Sequence, residues 1–217
     1  NIVPSENKLK AEILYNKINV FEKLFLWYFI VGMLYFLFII FDIFSSNKFI
    51  IRFMKYSLLF FKSSIFILFI IHTLGLIARW FISGHAPWGD AYESMIYVAW
   101  ATMGIGLLFA KKSDLTLAST AFVSSMILMI AHWNWMDPSI ANLVPVLDSY
   151  WLMIHVSVIV GSYGPFTLGM ILGIVSLILM VFLTKNNKEI IKLKLKELTI
   201  INELAITVGL IMLTIGN

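Results

Sequence analysis

The chain has 217 residues, of which 60% are hydrophobic, 15% aromatic and only 13% charged, and its mean hydropathy of +0.92 lies far above that of a soluble globular domain. The absence of cysteine excludes disulfides, thiolate metal sites, iron–sulfur clusters and a cysteine nucleophile. The formal charge of +4 reads as topogenic, a surplus of Lys and Arg on one side of a lipid bilayer, so a bilayer is an expected partner and nucleic acid is not.

In chain order, residues 1–23 carry alternating charges (Glu6, Lys8, Lys10, Glu12, Lys17, Glu22, Lys23) among a few apolar side chains, and read as a linker and amphipathic lead-in. Residues 24–217 read as one helical transmembrane domain with six spans near 24–44, 56–79, 92–110, 115–132, 151–183 and 200–215. Runs of about 20 apolar residues suit helices that cross a hydrocarbon core of about 30 Å and are too long for barrel strands, so the expected class is an all-α, polytopic helical membrane protein. A start at Asn1 without a basic signal-peptide region, and a stop just after "LAITVGLIMLTIGN", read as a truncated piece of a longer chain.

Orientation follows from the basic residues. Lys48, Arg52 and Lys55, then Lys111 and Lys112, then Lys185, Lys188, Lys192, Lys194 and Lys196 fall on one side if spans alternate, and that side is expected to be cytoplasmic. The stretch "KNNKEIIKLKLKEL" reads as a helix lying on the anionic inner leaflet. The loops 79–94 and 132–151 then face outward, and both are rich in Trp and poor in Lys.

The first outer loop, "RWFISGHAPWGDAYES", turns at Gly84, Pro87 and Gly89, and Asp90-Ala91-Tyr92-Glu93 has capping-box form. There His85 is either a structural loop contact or a ligand. In the second, Asp137-Pro138 signals a turn, and Ile140, Leu143, Val144, Leu147 and Trp151 at helical spacing suggest a short interfacial element. Its Trp133, Trp135 and Trp151 suit an interfacial belt or an aromatic platform for a flat ligand.

Of the four histidines, His72 lies inside the second span, where a neutral ring satisfied by a carbonyl is the plainer reading and an ionisable functional group the sharper one. His155 lies one turn below Trp151 on the same helix face, at the mouth of the fifth span. Deeper in that span Gly161, Gly164 and Pro165 are expected to break the helix, and Gly169 and Gly173 offer a GxxxG contact. A boundary histidine beside aromatics is the geometry of a haem axial ligand or of an ordinary interfacial pair.

"RWFISGHAPWGDAYESMIYVAW" (79–100) and "LVPVLDSYWLMIHVSVIVGSYG" (143–164) resemble the two hallmark stretches in the N-terminal half of the CcsA (ResC) subunit of System II cytochrome c biogenesis, and "AHWNWMDPSIANLVPVL" suits the fused CcsBA form. The resemblance implies a holocytochrome c synthase (haem lyase) that carries ferrous haem b to an outer site and joins it to the CXXCH motif of apocytochrome c. It implies a CcsB/ResB-like part upstream or as a separate subunit, and a bacterial inner-membrane location with haem-handling loops on the periplasmic side. By it His155 is the first of two outer histidines on haem iron, with Trp151, His85, Trp88 and His132 as further haem-binding residues, and no residue is assigned an acid–base role. The family's WG-x-x-W-x-W-D segment is absent, and only one of four expected axial histidines is present, so this stretch alone is expected to be inactive. Two readings of other classes stand beside it: a proton- or ion-coupled transporter using His72, for which the acids Asp42 and Glu203 lie near span ends, and a non-catalytic assembly subunit.

Overall fold

In the computed structural model, which describes residues 6–44, 48–133, 137–140, 150–182 and 188–216, every element is a helix: α1 (Glu6–Ile18), α2 (Val20–Phe44), α3 (Lys48–Ser83), α4 (Ala91–Phe109), α5 (Asp114–His132), α6 (Tyr150–Val181) and α7 (Lys188–Gly216). Six stretches are long and apolar enough to cross a membrane, and the chain is a polytopic helical membrane protein. The interfacial element expected around 140–151 falls mostly outside the described residues, as do Trp135 and Lys185.

The six spans alternate in direction. The starts of α2, α4 and α6 and the ends of α3, α5 and α7 therefore gather at one end of the bundle, called here the histidine end; the Lys111–Lys112 turn lies at the opposite, lysine end. The lead-in is helical too: α1 packs along α3 and is separated from α2 only by Asn19, whose φ of 48° is a left-handed conformation that asparagine tolerates. Both α4 and α5 start on side-chain caps, Asp90 on the Glu93 N–H and Ser113 on the Thr116 N–H.

The most enclosed span is α5, with α2, α4 and α6 around it, while α7 packs on α6 and α3 on α2. Lipid tails are as apolar as Leu, so helix association rests on close packing and hydrogen bonds rather than on a hydrophobic drive. Small residues supply the closeness. A Cβ on Gly106 would stand 2.1 Å from Thr120 Oγ1, and one on Gly164 would stand 2.8 Å from the backbone nitrogen of Thr102.

Four expectations are corrected. The GxxxG pair is not a joint interface: Gly169 faces Asn202 and Ile206 on α7, whereas Gly173 meets nothing within 4 Å among the described residues. Helix α6 is not broken, because Pro165 removes a single backbone bond and the flanking turns, packed against α4 and α7, carry the helix through. Residues 188–198 do not lie apart on a leaflet but form the first turns of α7, where Ile191 and Leu198 are buried. Residues 48–55 likewise belong to the first turns of α3 rather than to a loop.

These contacts set apart glycines that look alike. Gly164→Leu, pressed against α4 backbone, should destabilise the protein by about 1–3 kcal/mol or more. Gly173→Leu, facing open space, should leave detergent-solubilised thermal unfolding unchanged within a degree or two. Equal melting shifts for the two variants would contradict this packing.

Candidate functional site

The histidine end is organised by Arg79, in the last turns of α3. Its side chain is 0% exposed, and each of its three nitrogens is engaged: Nε donates to Glu93 Oε1 at 2.9 Å, one terminal nitrogen to the Pro138 carbonyl at 2.9 Å, and the other to the Ser139 carbonyl at 3.1 Å. Asp90 Oδ2 stands 3.7 Å away and the guanidinium carbon sits 5.0 Å from the centre of the Tyr92 ring. A buried guanidinium costs several kcal/mol to desolvate unless its charge and its N–H groups are matched, and here both are.

Glu93, 1% exposed, answers from α4. Its Oε2 accepts the Gly89 N–H at 2.8 Å, while its own N–H is capped by Asp90 at 2.6 Å. The capping box is therefore only half present: Asp90 caps, but the Glu93 carboxylate turns to Arg79 and Gly89, because an unmatched cation in an apolar bundle outbids a solvated cap. On the other side, Asp137 Oδ1 accepts the Ser139 N–H at 2.9 Å, folding 137–139 into a turn whose carbonyls point at Arg79. That hydrogen bond holds the exposed Asp137 carboxyl below its usual range, so the contribution is present at neutral pH and is lost as pH falls through the lowered value.

His85 lies in the tight loop beneath this pair. Its Nδ1 is 3.1 Å from the Ala86 carbonyl and 3.8 Å from Glu93 Oε2, while Nε2 is buried without a hydrogen-bond partner among the described residues. Trp88 shares the loop, with its backbone N–H on the same Ala86 carbonyl and its indole N–H likewise buried and without a partner among the described residues. It also begins a ladder of rings running into the bundle: Trp80 to Trp88 at 6.0 Å, Trp88 to Tyr97 at 5.1 Å, Tyr97 to Trp100 at 5.7 Å and Trp100 to Phe69 at 5.7 Å. Trp100 is fixed by an indole bond to Thr73 Oγ1 at 2.9 Å.

His155 and Trp151 are brought together. Both are exposed, Trp151 at 77%, and with Leu152, Ile154, Val158 and Ile215 they line an open cavity of about 550 Å³ between the start of α6 and the end of α7. This suits the roughly 300–1,000 Å³, mostly apolar sites with a few polar groups that bind small molecules. The closeness of the two helices comes from Gly216, where a Cβ would stand 2.6 Å from Ile159 Cγ1.

The remaining expectations separate from that cavity. His85 and Trp88 belong to the Arg79 loop, and His132 stands elsewhere, its Nε2 3.5 Å from Glu22 Oε1 and its ring stacked on Phe25 at 5.6 Å. None of the three lines the His155 cavity. His72 takes the plainer reading at one nitrogen: Nε2 lies 3.1 Å from the Ile96 carbonyl and the ring is packed edge-on to Phe21 and against Tyr28, while Nδ1 is buried without a partner among the described residues. Sequence reasoning missed Arg79. The available signal was an ionisable residue inside an apolar run, "GLIARWF".

Together these features define a polytopic membrane protein with a rigid arginine-centred cap and an open imidazole-bearing cavity at one end. Residues 88–217 match the family described as Cytochrome C assembly protein, and the chain belongs to that family as a CcsA-type cytochrome c biogenesis protein. It is 39% identical over 221 residues to protein NrfI of Wolinella succinogenes, covering 100% of this chain and 23% of that protein. It is 38% identical over 133 residues to the cytochrome c biogenesis protein CcsA of Lobularia maritima, covering 59% and 40%, and 36% identical over 118 residues to CcsA of Chlorella vulgaris, covering 52% and 37%. The chain thus spans well under half the length of these curated relatives.

The Arg79–Glu93 pair sets a stability expectation. Glu93→Gln keeps an acceptor for Gly89 but leaves a buried guanidinium without its counter-charge, and the loss should fall toward the lower end of the roughly 3–5 kcal/mol seen when a buried pair is broken. Thermal unfolding in detergent checks it. An unchanged midpoint would mean that water reaches the pair.

Proposed function

We propose that the chain is the haem-handling membrane part of a holocytochrome c synthase, in which His155 holds ferrous haem b by one axial position at the outer face while apocytochrome c is docked. The observation that carries it is the pairing of an exposed imidazole with an exposed indole in an open apolar cavity, in a chain of a cytochrome c assembly family. Imidazole nitrogen is a strong haem-iron ligand, an apolar wall suits the porphyrin face, and a cavity open on one side leaves the ring edge reachable by a second protein. The site fits its cargo.

On this reading the protein contributes position and axial ligation, and the bond-making groups belong to haem and the CXXCH segment. Each cysteine S–H adds across a vinyl C=C: a C–S bond forms at one vinyl carbon, a hydrogen is gained at the other, and nothing is oxidised or reduced. Trp151 supplies a ring face beside the imidazole. His85, Trp88 and His132 act from neighbouring elements rather than as members of the His155 cavity, and a CcsB/ResB-like part completes the machinery. On this reading the lysine end faces the cytoplasm of a bacterial inner membrane and the histidine end faces the periplasm, with the lysines at the opposite end in support.

Among the described residues, no acid stands beside His72 to support the transporter reading. His72 is enclosed by Phe21, Tyr28 and a carbonyl, while Glu203 is exposed on α7, outside that enclosure.

Two measurements follow. In the complete protein, His155→Ala should insert and fold normally but lose most outer-site haem and cytochrome maturation, and added imidazole should restore part of both by filling the vacant coordination position. Normal haem content in that variant would remove His155 as a ligand. For orientation, an impermeant thiol reagent outside intact cells should label Ser139→Cys and spare Lys188→Cys; the reverse pattern would invert the topology.

A further inference from the structure

We infer that Arg79 is the positioning residue of the histidine end, a clamp that ties the α3–α4 loop to the 137–139 turn, so that haem bound at His155 is presented in a productive orientation. The inference rests on the function proposed above. Its structural half stands without it.

The three guanidinium nitrogens go to three different acceptors. A guanidinium matched only for stability could take both oxygens of one carboxylate, because its planar fork suits that geometry. Arg79 does not. Nε alone goes to Glu93, and the two terminal nitrogens are directed to consecutive carbonyls, Pro138 and Ser139, in the connection between α5 and α6. That partner segment is shaped to receive them: Pro138 has no N–H of its own to satisfy, and Asp137 fixes the turn by holding the Ser139 N–H. The same carboxylate that neutralises Arg79 holds the Gly89 N–H and stands 3.8 Å from His85 Nδ1. One side chain therefore joins the loop carrying His85 and Trp88 to a turn that ends at Ser139, twelve residues ahead of Trp151.

The arrangement separates two effects that a purely structural ion pair would not separate. Iron ligation belongs to His155, on a different element, so loss of the clamp leaves the ligand in place. What is lost is the fixed path of the 137–139 segment, and with it the orientation of bound haem toward the incoming cysteines. Small misplacements of reacting groups cost large factors in rate even where binding survives.

The test uses the complete protein in native membranes, with Arg79→Gln as the primary variant. Arg79→Gln/Glu93→Gln serves as a second variant that removes both charges, so that no unmatched carboxylate threatens folding. The clamp itself is read from the labelling rate of Ser139→Cys, in a stretch whose 217 residues contain no native cysteine. The functional half is read from the Soret absorbance per mole of protein and from cytochrome maturation. Both variants should raise the labelling rate about tenfold, keep haem within twofold of the parent, cut maturation at least tenfold, and gain nothing from added imidazole, which distinguishes them from His155→Ala. Unchanged labelling in the double variant overturns the clamp, as does maturation equal to the parent, and rescue by imidazole would show that Arg79 acts on the iron ligand instead. Faster labelling in a protein whose parent neither holds haem nor matures cytochromes would leave the clamp standing and refute the proposed function.

Discussion

A charge that cannot reach water dictates the structure around it. Arg79 lies in the last turns of a long apolar helix, and its guanidinium must find within the protein both a counter-charge and a partner for its N–H groups. Meeting that demand draws in two elements: α4, through Glu93 and the ring of Tyr92 in its first turn, and the turn at 137–139. The α3–α4 loop is consequently short and rigid, with His85 and Trp88 held in set places rather than swinging on a solvent-exposed tether. A second matched charge works at the lysine end, where Lys62 meets Asp114 at 2.6 Å and the Ala110 carbonyl at 2.8 Å, and Tyr35 donates to the same carboxylate at 2.8 Å. Polar fastenings near both ends and small-residue contacts between them hold helices that have little hydrophobic reason to associate in lipid.

Span positions were legible in the sequence because a hydrocarbon slab imposes one length and one polarity on whatever crosses it. The six apolar runs reappear as helices, extended at their ends where polar turns continue the same hydrogen-bond ladder, as in the lysine-bearing first turns of α7. Hydropathy marks where lipid ends, not where a helix does. Partner choice was not legible. The GxxxG spacing pointed to Gly169 and Gly173, yet the backbone approaches α4 at Gly164, a choice made by the direction from which a neighbour arrives.

The candidate site divides along the same line. Trp151 and His155 were legible as a pair because four residues on a helix is a local relation, and both line one cavity. Glu93 was misjudged because its partner is fourteen residues away and its local alternative, a capping box, is a good one. His132 belongs with Glu22 and Phe25, far away in sequence, and no spacing rule could have found them. The ladder from Trp80 to Phe69 likewise joins two helices, each reading alone as ordinary interfacial and core aromatics.

The hydroxyls of α5 bear on how the bundle is put together in a cell. This span carries Ser119, Thr120 and Ser125 among its buried residues, and each bonds to a carbonyl three or four positions back on its own helix: Ser119 to Leu115, Thr120 to Leu117 and Ser125 to Phe122. Three internally satisfied hydroxyls let this helix leave the insertion machinery for lipid with less unmet polarity exposed to the hydrocarbon, although the Thr116 hydroxyl in its first turn has no partner among the described residues. Ser124 is different, because its hydroxyl reaches across to the Ala99 carbonyl of α4 at 3.1 Å. Biogenesis can thus proceed in two stages: α5 enters the bilayer with most of its buried hydroxyls already bonded, and Ser124 records its docking against α4, the helix synthesised just before it.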